Sequence, residues 1–123
     1  MAIRRSVSVT CTTGGAATVY IPSSTSNDPC IQGKIYAVHY IKGSMSTGSD
    51  LTITAEAFTE TVWTESNVAA TKTVYPRRLV NNTAGGSTTL EREPIVVAND
   101  RLKIVVAQGG SGGTGTFSVI TDA

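Results

Sequence analysis

The run Ile3-Arg4-Arg5-Ser6-Val7-Ser8-Val9-Thr10-Cys11-Thr12 is followed by Thr13-Gly14-Gly15-Ala16 and then by Ala17-Thr18-Val19-Tyr20-Ile21. Val7, Val9 and Cys11 fall on one side of a two-residue rhythm, and Ser6, Ser8 and Thr10 fall on the other. A period of two marks a half-buried strand, because successive Cβ atoms point to opposite faces. Paired glycines reach positive φ without steric cost, so the segment predicts a hairpin whose returning strand stops at Pro22.

The same rhythm runs through the rest of the chain. Pro22 to Gly33 reads as a loop of turn-forming residues. Ile35 to Lys42 predicts a strand that is apolar or aromatic on both faces, with Ile35, Ala37, His39 and Ile41 on one and Tyr36, Val38 and Tyr40 on the other. Such a strand belongs in the middle of a sheet or in a subunit contact. Leu51, Ile53, Ala55 and Ala57 alternate with Thr52, Thr54 and Glu56, and Thr61 to Thr64 forms a shorter strand. Glu65 to Lys72 has room for one helical turn, and Thr71 to Tyr75 is extended. Arg77 to Leu90 reads as connection around a long turn at Asn81–Ser87. Ile95-Val96-Val97, a tight turn at Asn99-Asp100, the strand Arg101–Gln108, a hairpin loop at Gly109–Gly113 and a last strand Thr116–Thr121 complete the pattern. About eight short strands with no full helix predict an all-β fold, a single antiparallel β-sandwich of jelly-roll type over residues 1–123. A hairpin-rich barrel is the structural alternative, and no internal repeat suggests a solenoid or propeller.

Composition narrows the function. Of 123 residues 40% are hydrophobic and 15% charged, against a usual charged share of about 25%. One chain of this size hides roughly two-thirds of its unfolded surface, enough for one core. A net charge of +1 argues against nucleic acid, whose binders gain affinity by neutralising phosphates. The N-terminal Arg4-Arg5 has no apolar stretch behind it and does not read as a targeting segment. No run approaches the length needed to span a membrane as a helix. The expected location is therefore a cytoplasm, or a particle assembled there. Cys11 and Cys30 are too few for a disulfide framework; they read as small hydrophobes, with a Cys11–Cys30 bridge as the lesser alternative.

Little points to catalysis or to a cofactor. His39 is the single histidine and sits mid-strand among apolar residues, so a packed or interface role is expected. No nucleophile-elbow pattern surrounds a serine, and no metal-ligand spacing is present. Glu91 and Glu93 share one face of an extended segment, the arrangement of a solvated edge or of a charged patch facing a partner. The glycines at 109–113 lack the Lys-Ser/Thr ending and the following helix that a phosphate cradle requires. The residue types favoured at protein interfaces are better represented. The basic pairs Arg4-Arg5 and Arg77-Arg78, together with Tyr36, Tyr40, Trp63 and Tyr75, are the candidate contact residues, with Trp63 reading equally as a core anchor.

Three segments resemble small proteins encoded near the major capsid protein of tailed bacteriophages. They are Ala2–Thr10 with Gly14–Tyr20, then Gly48-Ser49-Asp50-Leu51-Thr52-Ile53-Thr54, then Glu93-Pro94-Ile95-Val96-Val97-Ala98-Asn99-Asp100-Arg101-Leu102-Lys103-Ile104-Val105-Val106-Ala107-Gln108-Gly109-Gly110. The resemblance implies a virion structural protein, a head decoration or cement protein made in the bacterial host cytoplasm and carried on the capsid exterior. It also implies a sandwich or jelly-roll fold, the major capsid protein as partner, and self-association as a homodimer or homotrimer. Arg4-Arg5 and Arg77-Arg78 are then expected to meet acidic patches of the capsid protein. The rival expectations are a carbohydrate- or receptor-binding tail or fibre domain and a head–tail connector component.

Overall fold

The structure is a computed structural model and describes residues 2–23 and 29–122. Ten strands and no helix make up these residues: β1 (Ala2–Thr10), β2 (Ala17–Ile21), β3 (Ile31–Ile41), β4 (Asp50–Ala55), β5 (Thr61–Glu65), β6 (Lys72–Val74), β7 (Arg77–Asn81), β8 (Ser87–Asp100), β9 (Leu102–Ala107) and β10 (Thr114–Asp122). The larger sheet runs β1-β10-β3-β8-β7, with β6 lying beside the second half of β3; the smaller runs β2-β9-β4-β5. Every pairing is antiparallel.

Setting β6 and β7 aside leaves eight strands, β1 to β5 and β8 to β10. Taken in chain order, these lie as first-eighth-third-sixth in one sheet and second-seventh-fourth-fifth in the other. That is jelly-roll winding. The core lies between the sheets. Val38, Tyr40, Phe117 and Val119 face Leu51, Ile53, Leu102 and Ile104, all of them fully buried. Tyr40 sits with its ring centroid 5.0 Å from that of Phe117 and 6.4 Å from that of Trp63. These tilted aromatic contacts add to the burial of three large rings.

The glycine turns do not make hairpins. Around Gly14-Gly15 the chain does turn, with Gly15 N–H donating to the Thr12 carbonyl at 3.0 Å. However, β1 pairs with β10 and β2 with β9, so the strands expected to form one hairpin lie in opposite sheets. The turn is tied instead to the segment at 109–113. Cys11 N–H donates to the Gly113 carbonyl and Gly109 N–H to the Gly15 carbonyl, both at 2.8 Å. The segments Asn99–Arg101 and Gly109–Gly113 also cross from one sheet to the other. The expected tight-turn hairpin and the glycine hairpin loop are therefore crossings. Alternation establishes only that each strand buries one face, and two strands facing each other across a core satisfy it as well as two side by side. The 109–113 glycines serve close packing: a Cβ on Gly113 would lie 2.3 Å from the Gly109 carbonyl oxygen.

Arg77–Leu90, expected as connection, is a true hairpin of β7 with β8 around Asn82–Gly86. The Asn82 carboxamide oxygen accepts N–H groups of Ala84 and Gly86 at 2.9 and 3.0 Å, which fixes the turn. β7 and the paired residues 87–94 of β8 are largely exposed and carry no two-residue apolar signal; the rhythm returns in β8 only at Ile95 and Val97, which are buried. Of the expected loop over residues 22–33, positions 24–28 lie outside the described residues, and Ile31–Gly33 already belong to β3. Opposite β10, Ile35 pairs with Thr121 and Ala37 with Ile120, so Tyr36 is an extra residue in a bulge. The bulge puts Ile35, Val38 and Tyr40 toward the core, whereas Ile41 is exposed and His39 half-buried. This strand is therefore not split into the two regular faces its sequence suggests. The helical turn considered for Glu65–Lys72 is absent; Val68 is buried there and its N–H donates to the Ser49 carbonyl at 2.8 Å. Cys11 and Cys30 are both free.

Candidate functional site: the outer face of the larger sheet

Register places the outward residues of the larger sheet. With Phe117, Val119, Val38 and Tyr40 turned to the core, Ser118 and His39 point away from it. Ser6 pairs with Ser118, Ser118 with His39, and His39 with Thr73. These four residues form one row across four strands. Ser6 Oγ lies 2.7 Å from Ser118 Oγ, and His39 Nδ1 lies 2.6 Å from Thr73 Oγ1. Next to this row stands Arg4, Ile120, Ala37; on its other side stands Ser8, Thr116, Ile41. Serine and threonine hydroxyls run along the centre of this face, with Ile120 half-buried, Ile41 exposed and Ala37 buried beside them.

Cations and aromatics border this region. Arg77 Nη1 donates to the Tyr36 carbonyl at 3.1 Å, and its guanidinium carbon lies 5.9 Å from the Tyr36 ring centroid. Stacking of this kind keeps a guanidinium extended over a ring and presents its remaining donors to solvent. Tyr75 is 66% exposed just before it. Arg4 stands at the opposite edge, on β1.

The eight candidate contact residues thus divide. Arg4, Tyr36, Tyr75 and Arg77 are gathered on or beside this outer face. Arg5 points the other way, and its guanidinium donates to the Pro29 carbonyl. Arg78 is exposed but engaged within the molecule, bonding Glu60 at 3.0 Å and Glu93 at 3.1 Å. Some desolvation works against its charge, but the two carboxylates outweigh it and raise the pKa of Arg78. Tyr40 and Trp63 are core residues and have no place in a contact surface. Burial, partly offset by a hydrogen bond with Ser49, raises the Tyr40 phenol above its ordinary value. Both are large aromatics next to polar residues, and sequence alone gives no signal that separates a core ring from an interface ring.

The face also contains residues that sequence reasoning did not select. Ser6, Ser118, Thr73 and Ile41 became visible only through register. A second exposed cluster, Phe58 at 66% and Val96 at 52% exposure, lies where the β4–β5 loop meets β8. Glu91 and Glu93 lie on β8, Glu93 already paired with Arg78. Among the described residues no group of three or more His, Cys, Asp and Glu side chains comes together as a metal site. Among the described residues no helix is long and apolar enough to cross a membrane.

Fold and face together define a jelly-roll sandwich whose larger sheet presents a hydroxyl-rich outer surface bordered by arginine and tyrosine. No family model and no curated protein matches the chain. A solved structure described as FLHE aligns with 99% of this chain and 98% of its own, at 13% identity and a TM-score of 0.46. A likeness of that size carries no argument about fold or function.

Proposed function

We propose that the outer face of the larger sheet is a protein-docking surface, and that the chain is a virion structural protein that decorates the phage head and clamps neighbouring capsomers. The observation that carries this reading is the placement of Arg4, Tyr36, Tyr75 and Arg77 around a row of hydroxyls on one side of the larger sheet. Arginine and tyrosine are the residue types that anchor protein interfaces, and the open face of a sheet suits a broad partner better than a small molecule, which is held in a concave pocket. The choice of the capsid as partner rests on the sequence resemblance described above. A decoration protein needs no catalytic group. It binds the assembled shell but not the loose subunit, and so stabilises the shell by mass action. Modest contacts repeated over a symmetric lattice then add up to a large total.

The test is co-sedimentation with heads assembled from the major capsid protein encoded beside this chain. The expected result is saturable binding at a fixed ratio to the capsid protein. Arg4→Glu combined with Arg77→Glu is expected to weaken binding at least about tenfold, roughly 1.4 kcal/mol, with the melting temperature unchanged. Failure to sediment with heads, or unaltered occupancy by the double variant, would refute the proposal.

A further inference from the structure

The geometry points to a homodimer formed by β1 of one copy pairing antiparallel with β1 of a second, about a two-fold axis at Ser6. The larger sheet ends in a strand whose second edge has no strand partner among the described residues. Nine consecutive residues of β1 pair with β10 without a bulge, from Ala2 opposite Asp122 to Thr10 opposite Thr114. The other sheet margins are protected. β2 and β5 have five residues each; β2 runs into Pro22, and a register shift interrupts the pairing of β4 with β5. β7 follows Pro76 and has a register shift at Leu79–Asn81, and β6 has three residues. Shortness, proline, bulges and charged side chains are devices that keep sheet edges from pairing with other chains. β1 has none of the first three, and its charges, Arg4 and Arg5, lie toward one end, where they restrict which register a partner strand can take.

Hydrogen-bond parity fixes how a partner strand fits. Cys11 N–H donates to the Gly113 carbonyl, and the register places these two opposite each other, two steps beyond Val9 and Gly115. Odd-numbered residues of β1 therefore direct their backbone groups at β10. The N–H and C=O groups of Ala2, Arg4, Ser6, Ser8 and Thr10 point to the open edge. A second β1 running antiparallel must match even residues with even residues. A two-fold axis at Arg4 or Arg5 would set that arginine against its own copy, which like charge disfavours. An axis at Val7 would leave Ala2 and Ile3 unpaired. An axis at Ser6, the midpoint of the strand, pairs all nine residues and opposes no like charges. Arg4 then faces Ser8 of the second copy, Arg5 faces Val7, and Ile3 faces Val9. The contact is isologous, as a closed dimer requires. It would join two larger sheets into one, with their outer faces continuous. The inference does not depend on the capsid reading.

Sedimentation velocity in the micromolar range tests it, with Ser6→Pro as the discriminating variant. Proline at position 6 removes an N–H that β10 does not use, so β1 stays in its own sheet while the dimer loses its central bond. Wild type is expected at twice the chain mass and Ser6→Pro at the chain mass, with matching circular dichroism. Ser6→Ala, which loses only the hydroxyl bond to Ser118, is expected to remain dimeric. A second measurement does not depend on tolerance of proline. A hydrogen-bonded pair brings Cα atoms within about 5.5 Å, inside the range a disulfide spans. In a Cys30→Ser background, Ser6→Cys is expected to form a covalent dimer on mild oxidation. Ser8→Cys is expected to crosslink only when mixed with Arg4→Cys. A monomeric wild type, a dimer that Ser6→Pro leaves intact, or crosslinking that ignores this register would overturn the inference. A monomer that still sediments with heads would overturn the dimer alone.

Discussion

Asp100 is a buried carboxylate at the crossing from β8 to β9, and its removal offers a quantitative test of how that crossing is held. It is 5% exposed. Its Oδ1 and Oδ2 accept the Ala57 N–H at 3.1 and 3.0 Å, and Oδ1 accepts the Arg101 N–H at 2.7 Å. Glu56 N–H donates to the Arg101 carbonyl at 2.9 Å alongside, and Asn99 adopts φ 54° to make the bend. Asp100→Ala leaves two backbone donors without an acceptor at a site closed to water. Each such orphan costs about 1–3 kcal/mol. Relief of the carboxylate's own desolvation offsets part of this, so the expected loss is about 3 kcal/mol. A chain of this length gains roughly 0.26 kcal/mol/K of entropy on unfolding, which converts the loss to a Tm drop of about 12 °C. Asp100→Asn keeps one acceptor and is expected to lose about a third as much. The assay is a circular dichroism melt supported by urea titration of Trp63 fluorescence. A Tm within about 4 °C of wild type for Asp100→Ala would refute the reasoning, and so would an Asn variant as damaged as the Ala one.

Other substitutions probe other parts of the sandwich. Gly113→Ala is expected to cost about 1–3 kcal/mol by urea denaturation, because the new methyl meets backbone at 2.3 Å and the crossing must shift. Gly112→Asn, at φ 66° with nothing within 4 Å, is expected to stay within about 1 kcal/mol, since Asn tolerates the left-handed region. Arg78→Ala loses two ion pairs whose side chains are 34–46% exposed; the expected change in stability is below about 1 kcal/mol, and the residual salt dependence of Tm should shrink. Dithionitrobenzoate titration of the native protein is expected to consume one thiol, that of half-exposed Cys30. Cys11 is 4% exposed with its pKa raised by burial, and it should react only in denaturant.

The fold class and most strand positions were legible because a half-buried strand leaves its period in the chain. Leu51–Ala55 and Leu102–Val106 show it plainly, and both sit where the rhythm places them. Strand partnership was not legible. Gly14-Gly15 bends a chain equally well within a sheet or between sheets, and the outcome was set by what Cys11 and Gly109 bond to nearly a hundred residues away. The β7–β8 hairpin leaves no such trace for the opposite reason: Leu90 is 84% exposed, and neither β7 nor residues 87–94 of β8 bury an apolar face, although Ile95 and Val97 further along β8 do. The candidate face was half legible. Residue type picked out Arg4, Tyr36, Tyr75 and Arg77, while the Ser6–Ser118–His39–Thr73 row exists only through register. Residue type also picked out Tyr40 and Trp63, where shape had assigned the rings to packing.

The nested pairing of β4 with β5, β3 with β8, β2 with β9 and β1 with β10 makes the molecule one long two-ply ribbon, bent back and forth on itself. Its closed end is the bend between Ala55 and Thr61, in the middle of the chain. Each successive rung joins residues farther apart in sequence and so closes a larger loop. Loop closure therefore predicts assembly as a zipper that starts at β4–β5 and finishes at β1–β10. During synthesis β1 waits for its partner until β10 has left the ribosome. Pulse-labelled hydrogen exchange should find the Leu51 and Trp63 amides protected before those of Val7 and Phe117.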